Sequence, residues 1–278
     1  KVGFRLIETS GGPEGMALPA AGPGYLQVPD ISDLEPLFNV VDPAADDHGP
    51  GQFTYPLDAV FAPGSYDLTS FTVGLSGGDT AVFSFDIDAA IANPWGSPAG
   101  FSIQTFDMYI DTDPGEGTGA RLLLPGRNAA LESGNGWEYA LTLEGWDPAL
   151  YVAGADGETE ETKPTFKMIT DPEGRLTARI PLELLGGGDP AEWAYAVVLM
   201  SQEGFPSSGV RRIRDILPGA EQWKGGGAPD DANHTRIFDV LHPEAGVQEE
   251  LLGDYPAATS LDGLGPDDFP QVPLVLPE

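Results

Sequence analysis

The chain has 278 residues with 13 Lys+Arg against 44 Asp+Glu, a formal net charge of −31, and no cysteine. It therefore has no disulfide, thiolate zinc site, iron–sulfur cluster or Cys nucleophile, and both nucleic-acid phosphates and anionic lipid would repel it. The 41% hydrophobic and 9% aromatic content argues for a packed core, while apolar runs such as Trp193 to Met200 fall far short of the ~18–20 residues that span a bilayer.

The opening Lys1-Val2-Gly3-Phe4 has no initial Met and no apolar h-region, as expected of a processed, extracellular chain. Residues 1–8 alternate, with Val2, Phe4 and Leu6 on one face and Gly3 and Arg5 on the other, which predicts a strand. Ser10 to Gly24 is rich in Gly, Pro and Ala and reads as a linker. From Leu37 onward, short β-type runs are separated by Gly, Pro, Asp and Asn. Strands are predicted over Leu68–Leu75, Thr80–Asp88, Phe101–Asp111, Gly136–Leu143, Arg175–Ile180 and Trp193–Ser201. In the second of these, Ala81, Phe83, Phe85 and Ile87 share one face. Helix is scarce: one turn at Pro181–Leu185 and a short helix over Ala245–Leu252 ended by Gly253. Val272, Leu274 and Leu276 are spaced by two, but Pro270, Pro273 and Pro277 confine any strand there to an edge. The pattern predicts an all-β, antiparallel sandwich.

Two acidic clusters are candidate metal sites. Asp42-Pro-Ala-Ala-Asp46-Asp47-His48-Gly-Pro-Gly51 packs three carboxylates into a loop shaped by Gly and Pro, with Asp67 as a further donor. Ca²⁺ takes six to eight oxygens from carboxylates and loop carbonyls, and this composition supplies them. In the second cluster Asp107, Asp111 and Asp113 are placed on one strand face, with glycines trailing. It resembles half of a calcium loop but lacks the flanking helices and the closing Glu of an EF-hand. Calcium is the expected cofactor, against the alternative that these acids are solvated turn residues.

No Gly-x-Ser-x-Gly elbow is present, and His48, His234 and His242 are too few and too scattered for a triad or an imidazole metal site. The aromatics are a better lead. Sugar rings present apolar C–H faces that stack on flat rings while their hydroxyls bond polar neighbours. Trp95 beside Asn93, Trp137 beside Glu138, and Trp146 are the candidate carbohydrate contacts; Trp193, inside an apolar run, reads as core.

Several motifs together resemble a known family. Asp42 to Gly51 is followed by Tyr55-Pro56, Phe61-x-x-Gly64-x-Tyr66-Asp67-Leu68-Thr69-Ser70-Phe71 and Asn93-Pro94-Trp95-Gly96-Ser97-Pro98-x-Gly100-Phe101-Ser102. Tyr109 to Pro114, Leu124 to Asn128, Gly145-Trp146, Trp223 to Gly227 and Asp239-Val240-Leu241 come after them. From about Leu37 to Tyr255 the chain resembles the C-terminal module of glucodextranase, which is also appended to archaeal amylopullulanases. The resemblance implies a β-sandwich related to family 9 carbohydrate-binding modules and a noncatalytic binding or surface-attachment role; it implies no haem. The organisation expected is an N-terminal strand and linker (1–36), a sandwich (37–256) and an extended tail (257–278).

The expected function is a noncatalytic extracellular or cell-surface sandwich, stabilised by calcium, that binds carbohydrate or the cell envelope. The detached strand leaves a second possibility open. It either folds back on its own sheet or completes the sheet of a neighbouring copy, which would make the chain a filament subunit assembled through residues 1–9. A glycoside-active enzyme is the third reading, since two of the many acids could face each other at catalytic separation.

Overall fold

A computed structural model describes residues 34–154, 159–171, 173–205, 210 and 212–277. The predicted N-terminal strand at residues 1–8 and the linker that follows lie outside the described residues.

Two antiparallel sheets form the body. The first contains β1 (Leu34–Val41), β2 (Leu68–Ser76), β3 (Thr80–Ile87), β10 (Arg175–Pro181) and β9 (Lys167–Asp171), side by side in that order. The second runs β12 (Asp239–Val240), β11 (Ala194–Ser201), β4 (Gln104–Asp111), β6 (Tyr139–Leu143), β7 (Ala149–Ala153) and β8 (Thr159–Thr162). A small parallel pair joins β5 (Ala130–Leu131) to β13 (Gln271–Val272). The expected all-β sandwich is the fold observed.

The core forms because aromatic residues at alternate positions of the first sheet meet those of the second. Phe85 lies 5.5 Å from Phe106 and Phe71 lies 5.6 Å from Tyr195, centroid to centroid. In β3, the side chains of Ala81, Phe83, Phe85 and Ile87 are buried as their alternation predicts. Strands β4 and β11 show no such alternation, and every residue in both is buried. A second apolar cluster explains this. Tyr109, Trp137, Ala140, Val198, Met200, Leu252 and Val272 pack on the outer face of the second sheet, under the 112–138 segment, helix α1 (Val247–Gly253) and the C-terminal chain. A strand buried on both faces reads as a continuous apolar run.

The turn at Leu182–Leu185 is a single 3₁₀ turn closed by Gly186, and α1 occupies the predicted short helix. The C-terminal chain packs tightly: Val272 is fully buried, and Val275 bridges Tyr195 through two backbone hydrogen bonds. Edge strands β1 and β12 lie on the same side of the sandwich, which brings the chain after β1 against β12. The principal acidic centre forms at that junction.

Candidate functional site

Asp42 immediately follows β1, Asp46 lies in the loop after it, Asp67 immediately precedes β2, and Asp239 lies in β12 of the other sheet. Carboxylate oxygens of Asp42, Asp46 and Asp239 all lie within 4.8 Å of one another. Asp67 stands beside them, near enough for its charge to act on both Asp42 and Asp239. Asp42, Asp67 and Asp239 are at most 3% exposed.

Backbone amides orient one oxygen of each of these three. His242 N–H donates to Asp42 Oδ1 (2.6 Å), Ala45 N–H to Asp67 Oδ2 (2.7 Å) and Leu68 N–H to Asp239 Oδ2 (2.6 Å). The other oxygens, Asp42 Oδ2, Asp67 Oδ1 and Asp239 Oδ1, are buried without a hydrogen-bond partner among the described residues, as is Asp46 Oδ1. None of the four acids forms an ion pair with a Lys or Arg there. Gln248 of α1 braces the arrangement, accepting from Val240 N–H (2.6 Å) and donating to the Asp46 carbonyl. Gly49 shapes the same loop: its φ is +55°, and a Cβ there would collide with the Phe53 ring.

Burial, with the charges of Asp46 and Asp67, pushes the Asp42 carboxyl up to about 8. Burial likewise raises Asp67 to about 6, helped by Asp47 and Asp46. Asp239 is held well above the usual carboxylate range by burial and then by Asp42. Without a counter-charge burial favours the protonated forms, and Asp42 keeps its proton at neutral pH. Three carboxylates with clustered oxygens and a fourth, Asp67, beside them form a donor set that suits a hard divalent cation.

The remaining expected ligands are placed differently. Asp47 accepts the Tyr55 hydroxyl and lies 3.8 Å from His48 Nδ1, turned to these partners instead of the centre. Asp107 is separated from Asp111 and Asp113. Its two oxygens take the Arg127 guanidinium at 2.6 and 3.1 Å, so its charge is already matched in the core. Asp111 and Asp113 do come together, with Glu138 from the chain entering β6 as the third member. Asp111 Oδ2 is buried and unpartnered, and burial followed by the charge of Glu138 raises this carboxyl to about 6. Asp113 is exposed, and its Oδ1 accepts the Thr118 hydroxyl (2.6 Å).

The proposed sugar contacts also divide. Trp137 is fully buried in the outer cluster, donating Nε1–H to the Leu122 carbonyl (3.0 Å), so it has no face to offer a sugar. Asn93 both donates to and accepts from the Ser97 backbone, which commits its amide to closing the 93–97 turn. Trp95 is 38% exposed and Trp146 36%. Trp95 stands in a three-ring cluster with Phe61 and Trp223, at centroid separations of 6.0, 6.0 and 6.2 Å. Arg214 lies against it, its guanidinium carbon 5.1 Å from the Phe61 ring and 5.9 Å from that of Trp95. Hydrogen bonds to Glu203, the Trp223 carbonyl and the Gln202 carbonyl hold that guanidinium in place. Sequence spacing does not join Trp223, itself one of the loop tryptophans, or Arg214 to Trp95, because both lie more than a hundred residues away.

Two sites missed or incomplete in sequence, the Asp239-closed acidic centre and the Trp95–Trp223 aromatic patch, are thus mounted on a rigid sandwich. Fold and surface together define an all-β sandwich module. Residues 37–263 match the family of the SLH-like C-terminal binding module of glucodextranase, and the chain belongs to that family of binding modules. No curated protein matches the chain. No helix among the described residues is long and apolar enough to cross a membrane.

Proposed function

We propose that the chain is a noncatalytic, extracellular, calcium-stabilised module that binds carbohydrate or another polymer of the cell envelope. The observation that carries this reading is the Phe61–Trp95–Trp223 cluster, in which two half-exposed indoles rest on a buried phenyl ring fixed by Arg214. Flat apolar rings of this kind complement the C–H faces of a sugar. Glu203 and Lys224, themselves 3.5 Å apart, supply polar groups beside the rings for hydroxyls. Membership in a family of SLH-like binding modules supports attachment at the cell surface. Calorimetric titration against α-glucans and cell-wall glycans tests the reading. Saturable heat with at least one glycan, lost in Trp95→Ala, is expected; no heat with any of them sinks it.

A groove favours a second reading. Among the described residues β1 pairs only with β2, and its other edge faces a groove of about 810 Å³ lined by Leu37, Phe38, Val40, Pro273, Val275 and Leu276. The occupant in this reading is the Val2–Ile7 run of a second copy. Val2, Phe4 and Leu6 suit an apolar groove, and Lys1 and Arg5 bring positive charge to a strongly acidic partner. Strand addition of this type builds head-to-tail polymers. Electron micrographs of the chain with and without Lys1–Thr9 separate the two readings: filaments that disappear on deletion, with the melting temperature kept, support assembly by exchange, and filaments that persist refute it.

A further inference from the structure

We infer that the Asp42–Asp46–Asp67–Asp239 centre is a Ca²⁺ site that staples the two sheets of the sandwich together, with Asp239 as the ligand from the second sheet. The inference rests on the calcium half of the reading above and is independent of the glycan half.

The case begins with what burial does to a carboxylate. An ionised carboxylate moved out of water is strongly penalised unless it is paired, and an unsatisfied buried oxygen adds to the penalty. Asp107, equally buried, meets this cost with Arg127. The four acids of the centre have no such guanidinium among the described residues, yet each keeps one buried, unpartnered oxygen, and carboxylate oxygens of Asp42, Asp46 and Asp239 lie within 4.8 Å of one another. The amides of His242, Ala45 and Leu68 fix the outer oxygens of three of them, so the inward set is preorganised. A divalent cation at their meeting point satisfies these oxygens and matches the charge in one step. The ligands are all hard oxygens on a loop and two strand ends, with no imidazole or thiolate, which selects Ca²⁺ over the softer transition metals.

The position of the ligands gives the ion its role. Asp42 follows β1 and Asp67 precedes β2 of the first sheet, while Asp239 lies in β12 of the second, so a bound ion ties the ends of β1 and β2 to β12. Because the cage exists in the folded state alone, calcium at about a hundred times its dissociation constant raises the melting temperature by about 5–10 °C.

The test is thermal melting and calcium titration of the full chain. The wild type is expected to melt higher in calcium than in EDTA. In Asp239→Asn the calcium increment disappears while folding in EDTA is kept, because the Asn side chain fills the same volume and its amide oxygen can still accept from Leu68 N–H. Asp111→Asn is expected to keep the increment. Equal wild-type melting temperatures in EDTA and calcium overturn calcium stabilisation altogether. A calcium increment that survives in Asp239→Asn overturns this site alone. If that variant does not fold, Asp46→Asn, which alters the least buried of the four acids, reads the same loss.

Discussion

Arg127 and Asp107 form a two-pronged ion pair in which both side chains are completely excluded from solvent, with Nε–Oδ2 at 2.6 Å and Nη2–Oδ1 at 3.1 Å. Tyr109 donates its hydroxyl to the same carboxylate, and the Arg127 carbonyl accepts from Thr235, so the pair also anchors the 124–128 turn to the chain entering β12. Removing one partner strands the other charge in the core. Arg127→Leu is expected to lower unfolding free energy by about 3–5 kcal/mol, whereas the Arg127→Leu/Asp107→Leu double variant recovers much of the loss. Urea denaturation of the three proteins decides it; a single variant within 1 kcal/mol of the wild type, on the order of a surface pair, would contradict a structural role for the pair.

Asp42 and Asp67 give the cation-free protein an inverted pH dependence. Their folded-state values, about 8 and about 6, lie above the ordinary carboxylate value of 3.8. Between those limits the folded protein binds more protons than the unfolded one, so stability falls as pH rises. In EDTA the melting temperature is therefore expected to drop from pH 5.5 to pH 8. Saturating calcium should abolish or reverse that slope, because the cation requires deprotonated ligands. An EDTA-treated protein that melts higher at pH 8 would show that burial does not raise these carboxyls in the folded state.

How far the sequence could be read depended on what lay across from each segment. Strand β3 faces the core on one side, so the alternation of Phe83 and Phe85 was legible. Strands β4 and β11 are covered on both sides, and their apolar runs said strand without saying which face met what. Trp137 reads as a sugar contact in the sequence because Glu138 stands beside it, yet the outer cluster closes over the ring and buries it. Asp239 was missed because local spacing cannot connect it to Asp42, almost two hundred residues earlier. One signal was present: Asp239 interrupts the run Ile237-Phe238-Asp239-Val240-Leu241, as Asp107 interrupts Phe106-Asp107-Met108. An acid inside an apolar run marks a buried charge that needs a partner. It does not say whether the partner is an arginine, as at Asp107, or other carboxylates, as at Asp239.

Ala45 occupies the left-handed region with φ of 68°, between Asp42 and Asp46, and donates its N–H to Asp67. A side chain in that region costs roughly 1–2 kcal/mol that glycine does not incur, partly offset by the greater freedom of glycine in the unfolded chain. Ala45 is exposed, so little packing is lost with its methyl group. Ala45→Gly is accordingly expected to raise the melting temperature by about 2–4 °C while leaving the calcium increment intact. A decrease would mean that the methyl group, and not the backbone geometry, holds the loop.

The five tryptophans supply the sharpest contrast between binding and folding. Trp95 and Trp223 are about 40% exposed and touch Phe61 with one edge, whereas Trp137 is wholly enclosed by Tyr109 and its neighbours. Truncating an exposed ring removes a stacking surface but leaves little cavity. Trp95→Ala and Trp223→Ala are each expected to weaken glycan binding about tenfold or more, equivalent to about 1.4 kcal/mol, with melting temperature nearly unchanged. Trp137→Ala opens a cavity in the outer cluster and leaves the Leu122 carbonyl without its donor, a loss of about 3–5 kcal/mol of stability. Paired calorimetry and thermal melts on the three variants separate the roles. Glycan affinity unaltered in both Trp95→Ala and Trp223→Ala would move the binding surface away from this cluster, and Trp146, 36% exposed, would be the next ring to truncate.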